Sequence, residues 1–170
     1  MSRHPAIVHW QDIRQPDDAC YPGSEEKLSI GSPLGRHFGF ARIGIHHELL
    51  PPGRRTSWPH AEETEDEFVH VLEGAPDVWL DGVLHRLQAG DSVGFPAGSG
   101  IAHTFINNTD RDVRLLCVGD RDRDDNRIHY PQHPARNAAI GARHWRDCPF
   151  TPQGEHDGLP DAQREDGKEH

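Results

Sequence analysis

Residues 60–107 read HAEETEDEFVHVLEGAPDVWLDGVLHRLQAGDSVGFPAGSGIAHTFIN, and the way this stretch divides decides the fold. Phe68-Val69-His70-Val71-Leu72 is a short apolar run that stops at Glu73-Gly74. Val78 to His85 reads as a hairpin, because its central Asp81-Gly82 supplies the positive φ angles of a two-residue primed turn. Ser92 to Phe95 is a further strand, closed by Pro96-Ala97-Gly98, and His103 to Asn107 is the next. Downstream, the polar turn Asn108-Thr109-Asp110-Arg111 leads into Val113–Val118. Upstream, Thr56 to Glu62 forms a strand joined to the Phe68 strand by the charged turn 63–66. Strands recurring every 8 to 12 residues, with no helical period between them, predict an all-β antiparallel sandwich or barrel.

Between Phe38 and Leu50 the alternation has a period of two. Ile43, Ile45, His47 and Leu49 share one face, and Arg42, His46 and Glu48 share the other. The apolar set is expected to face inward, carrying His47 with it, and Pro51-Pro52-Gly53 ends the strand. His46, His70 and His85 are expected on outward faces. An N-terminal arm spans 1–35, the barrel 36–120, and a C-terminal extension 121–159 packs on the barrel or on a dimer partner. That extension contains one helix, Pro134 to Ala142, opened by a proline and ended near Gly141, and it carries Trp145 and His156 as covering residues. From 160 to 170 the sequence is hydrophilic and is expected to be a disordered tail.

Composition narrows the function. The net charge of −10 and the absence of a Lys/Arg cluster argue against a nucleic-acid partner. No run of 18 apolar residues exists and the N-terminus has no secretory apolar stretch, so a soluble cytoplasmic protein without membrane contact is expected. Cys20, Cys117 and Cys148 are odd in number and widely spaced, which reads as reduced thiols. Histidine is abundant, 14 of 170 residues, so a metal argument has to rest on spacing.

The spacing is suggestive. His60 and Glu62 point to one strand face, the turn at 63–66 lets Glu67 face His60 across the hairpin, and His103 adds a second imidazole from far downstream. Two imidazoles and two carboxylates converging in a barrel suit one divalent ion: Mn, Fe(II), Co, Ni or Zn. The bland alternatives are a solvated acidic turn for Glu62 and Glu67, which sit among Glu63, Glu65 and Asp66, and packed histidines satisfied by the backbone. Asn107 is expected to fix a turn, Trp58 to pack near the barrel mouth, and Gly74, Gly90 and Gly98 to serve turns.

The stretch from Gly53 to Asn107 resembles the paired motifs of the cupin superfamily. His60-x-Glu62, four residues, Glu67, six residues and Gly74 match the first motif, except that glutamate replaces its second histidine. Gly90, Pro96-x-Gly98, His103 and Asn107 match the second, with four residues instead of the usual two before the histidine. The resemblance implies a double-stranded β-helix (jelly-roll) barrel, a metal on His60, Glu62, Glu67 and His103, and a homodimer. Glu62 either completes the ligand set or swings out of it.

The function expected from this is an enzyme using one divalent metal as a Lewis acid on a small oxygen-rich substrate. Glu62 or His47 would act as general base. Isomerase or lyase chemistry and dioxygenase chemistry are equally compatible with the sequence. The alternative is a non-catalytic small-molecule-binding cupin whose metal is structural or absent.

Overall fold

Alternating side chains and long-range antiparallel pairing build two facing sheets around one core. The structure, a computed structural model, describes residues 3–121 and 123–166. Its strands are β1 (Ile30–Ser32), β2 (Ile43–Leu50), β3 (Ala61–Glu62), β4 (Glu67–Glu73), β5 (Asp77–Leu80), β6 (Val83–Arg86), β7 (Ser92–Phe95), β8 (His103–Ile106), β9 (Val113–Asp120) and β10 (Ile128–His129). The helices are α1 (Leu34–His37), α2 (Pro134–Ile140) and α3 (Asp161–Asp166). One sheet has five strands in the order β1-β2-β9-β4-β7, the other three in the order β6-β5-β8, and β10 pairs with β3. A bridge between His60 and His103 ties the segment before β3 to β8.

The register decides what faces inward. Leu50 lies opposite Val113, Glu48 opposite Leu115 and His46 opposite Cys117. Val69 and Val71 of β4 meet Cys117 and Leu115 from the other side. Leu50, Val69, Val71, Val78, Phe105, Val113 and Leu115 are each at most 2% exposed and form the main core. Side chains two apart share a face, so His46 and Glu48 line the interior with Leu50. This reverses the expected facing of β2. Ile43, Ile45, His47 and Leu49 lie on the outer face. That face looks apolar because the N-terminal arm covers part of it, stacking Trp10 on His47 with ring centroids 4.1 Å apart.

The predicted Asp81-Gly82 turn is present, with φ of 45° and 90° at its two residues. Gly82 has a second reason to be glycine: a Cβ there would lie 2.3 Å from the Gly154 nitrogen. The C-terminal extension runs along this hairpin, Gly154 N–H donating to the Asp81 carbonyl at 2.7 Å and the Trp79 indole to the His156 carbonyl at 2.7 Å. Trp145 joins Trp79, Ala61, Ala102 and Ile106 in a second, smaller cluster on the back of the three-stranded sheet. Helix α2 ends, as expected, at Gly141, whose φ is 57°.

Two further expectations are corrected. The arm does not merely lead in, because residues 30–32 add an edge strand to β2. Residues 161–166 form α3 instead of a disordered tail, and 167–170 lie outside the described residues. The Asp161 N–H donates to Asn108 Oδ1 at 2.9 Å and Ala162, the one apolar residue of the helix, lies over Gly53. Asn107 fixes its turn as expected, donating to the Leu50 and Arg111 carbonyls at 2.8 and 2.7 Å and accepting from Thr109.

Candidate metal centre and its cavity

Glu67 opens β4 on its inner face, one step before Val69, and His103 opens β8, one step before Phe105. His60 precedes β3 and is held beside His103 by paired backbone bonds of 3.2 and 2.9 Å. The three bring one donor atom each to within 4.8 Å of one another. His103 Nε2 is 3.0 Å from Glu67 Oε2, and the Phe95 ring lies flat on His103, centroids 3.5 Å apart and 9° from parallel.

The donor set fits a divalent ion. His60 Nδ1 lies 2.9 Å from the Trp58 carbonyl and His103 Nδ1 3.3 Å from the Ile101 carbonyl. A carbonyl only accepts, so both Nδ1 atoms carry a proton; His60 Nε2 is left free to ligate, while His103 Nε2 faces Glu67 Oε2 and would give up the proton between them when an ion binds. Burial, helped by the neighbouring His103, lowers the His60 pKa to about 4 and keeps that ring neutral, as a ligand must be. Burial would raise Glu67, but the charge and hydrogen bond of His103 outweigh it and hold the carboxyl at about 2.

Glu62 stands outside this three-residue group and lines the same cavity. Burial, then repulsion from Glu67 and Glu65, pushes its pKa up to about 7. Its acidic neighbours serve the surrounding turns: Asp66 Oδ1 accepts from the Ala97 N–H at 2.7 Å, Glu65 Oε1 from the Arg123 N–H at 2.6 Å, and Glu63 pairs with Arg127. His47 is on the opposite face of β2 from the cavity, 4% exposed beneath Trp10, with neither ring nitrogen hydrogen-bonded among the described residues. Burial, then the Arg114 charge, lowers its pKa.

The cavity encloses about 340 Å³. His60, Glu67 and Glu62 line it on one side, and His46, Glu48 and Cys117 on the wall made by β2 and β9. His46 Nδ1 is 3.6 Å from Glu48 Oε1. Sequence reasoning missed these two as cavity residues. The usable signal was that they alternate with Leu50, not with Ile45. Burial raises the Cys117 thiol well above its usual range, so it lines the cavity as a neutral group.

The fold is a jelly roll that carries a His-His-Glu group able to hold a metal ion, and comparison with known proteins agrees on the fold. Residues 46–119 match the Cupin domain family. Protein SchB of Streptomyces halstedii is 31% identical over 110 residues, 65% of this chain and 73% of its own length. A sugar phosphate isomerase of the cupin superfamily from Silicibacter pomeroyi is 34% identical over 60% of this chain, with a TM-score of 0.58. The chain spans 64% of that structure's length. The polyketide cyclase RemF from Streptomyces resistomycificus is 23% identical, covers 83% of this chain and 94% of its own, and has a TM-score of 0.59, a likeness of fold alone. The chain belongs to the cupin superfamily. Among the described residues no helix is long and apolar enough to cross a membrane.

Proposed function

We propose that the cavity is the active site of a metal-dependent enzyme that shifts a proton on a small oxygen-rich substrate, in isomerase or lyase chemistry. The observation that carries this is a carboxylate left over: Glu62 lines the cavity with His60 and Glu67 but lies outside the group that these two form with His103. His60, Glu67 and His103 would hold one divalent ion (Mn, Fe, Co, Ni or Zn). When bound, the ion supplies a Lewis acid that polarises a substrate oxygen. Glu62 then takes and returns the proton. His46 and Glu48 hydrogen-bond substrate hydroxyls from the facing wall, and Phe95 keeps His103 dry. The 34% identity to a sugar phosphate isomerase supports this chemistry over others. His47 has no part in it, because its ring is covered on the outer face.

A second reading has its own support. Two histidines and one carboxylate are also the ligand set of non-haem Fe(II) oxygenases, so a dioxygenase keeps the same three ligands. A homodimer, as the resemblance implies, would use the outer face of the five-stranded sheet, where Ile43, Phe68 and Leu72 are exposed.

The test is turnover of small sugar phosphates and hydroxy acids in D₂O by protein loaded with each ion in turn. Deuterium entering the substrate is expected, with Glu62→Gln slowing kcat by about 10²-fold or more at unchanged metal content. Oxygen uptake by the Fe(II) form without deuterium exchange would favour the dioxygenase. Binding without turnover under all conditions would leave the non-catalytic cupin.

A further inference from the structure

We propose that the ring stack Tyr21–Trp58–His133 is a positioning device for His60, through which the N-terminal arm and the C-terminal extension together set the affinity of the metal site. The inference rests on the metal reading above. The shorter of two polar contacts that aim His60 is the 2.9 Å bond from its Nδ1–H to the Trp58 carbonyl, with Ser57 Oγ 3.3 Å from the same nitrogen. Wherever that carbonyl points, the Nε2 lone pair follows. The Trp58 side chain is itself clamped on both faces. Tyr21 of the arm stacks at 4.1 Å and 13°, and His133 of the extension at 4.0 Å and 12°. The indole edge is pinned as well, donating to Glu26 Oε2 at 2.9 Å. Glu26 is held by Arg55, 1% exposed, whose remaining donor reaches the Gly158 carbonyl at 2.8 Å.

A second brace comes from the same direction. Tyr130, 4% exposed, lies 5.8 Å from the His60 ring, and Asn137 grips its backbone through two bonds of 2.9 Å. The Arg136 guanidinium sits over both Tyr21 and Tyr130, at 5.6 and 5.9 Å. Segments from before, within and after the barrel thus converge behind one ligand. Groups that orient a ligand without touching the metal commonly change affinity by about 10–100-fold when removed. The arm makes another ring contact of the same kind, Trp10 on His47, but on the outer face and unconnected to a ligand. That contact is an internal control.

The experiment is a Co(II) titration of the full chain, read by d–d absorption, alongside thermal melting. Tyr21→Ala and His133→Ala should each weaken Co(II) binding about tenfold or more. Tyr21→Phe, which keeps the ring, should bind as wild type. Trp10→Ala should lower Tm and leave Co(II) affinity unchanged. Wild-type affinity in folded Tyr21→Ala and His133→Ala overturns the positioning role while leaving the metal site standing. So does a loss in Trp10→Ala equal to that in Tyr21→Ala, since arm stability alone would then explain both. Should Tyr21→Ala not fold, His133→Ala against Trp10→Ala decides. Wild type that binds no Co(II) overturns the metal reading and this inference with it.

Discussion

The two ends of the barrel are built from the same strands and differ in almost everything else. β2 passes from His46 and Glu48 to Leu50, β4 from Glu67 to Val69 and Val71, and β8 from His103 to Phe105, while β9 runs the other way, from Val113 and Leu115 to Cys117. One end is closed and apolar; the other opens into a polar cavity. Inward residues on a strand are about 6.7 Å apart, so a single step along each strand separates the candidate ligands and cavity residues from the core. The lesson is that rigidity and chemistry are divided along the strand axis. The closed end supplies the stability that lets buried titratable groups persist at the open one.

Breaking the closed end should have the largest effect on folding. Leu115, 0% exposed, touches both β2 and β4 partners, and Leu115→Ala should cost about 2–5 kcal/mol in urea unfolding. Metal uptake per folded molecule should stay the same. A variant that keeps its stability but loses metal would show that the two ends are not separable.

Acid should sharpen the contrast with a smaller effect. Burial would raise Glu26, but the Arg55 guanidinium outweighs it and holds the carboxyl below its ordinary 4.5. A lowered pKa in the folded state contributes stability that is full above the unfolded value and fades as pH falls through the folded one. Between about pH 5 and pH 3 the urea midpoint of the wild type should therefore fall further than that of Glu26→Gln. Parallel curves would mean that the contact joining arm and extension adds nothing.

The legible and illegible parts of the molecule differ for physical reasons. The convergence of His60, Glu67 and His103 could be read because their spacing matches a known pair of motifs, and Asp81-Gly82 because few dipeptides accept its angles. The facing of β2 could not be read. Alternation gives two faces but not which is inside, and here the choice is revealed by Trp10, 37 residues before His47. β1 and β10, three and two residues long, are too short for any period to show. α3 was hidden because its anchors, Asn108 and Gly53, lie far away in sequence. Glu62 matched a ligand position in the motif, yet spacing along a two-residue strand could not say whether its carboxylate reaches the other three.

The central claim is that His60, Glu67 and His103 hold one metal ion at the open end. Its most direct test is elemental analysis of untagged protein before and after dialysis against divalent ions, with His103→Ala and Leu115→Ala beside the wild type. The account predicts about one equivalent per chain in the wild type and in folded Leu115→Ala, and none in His103→Ala. Metal near the wild-type level in His103→Ala, or none taken up by the wild type, would contradict it.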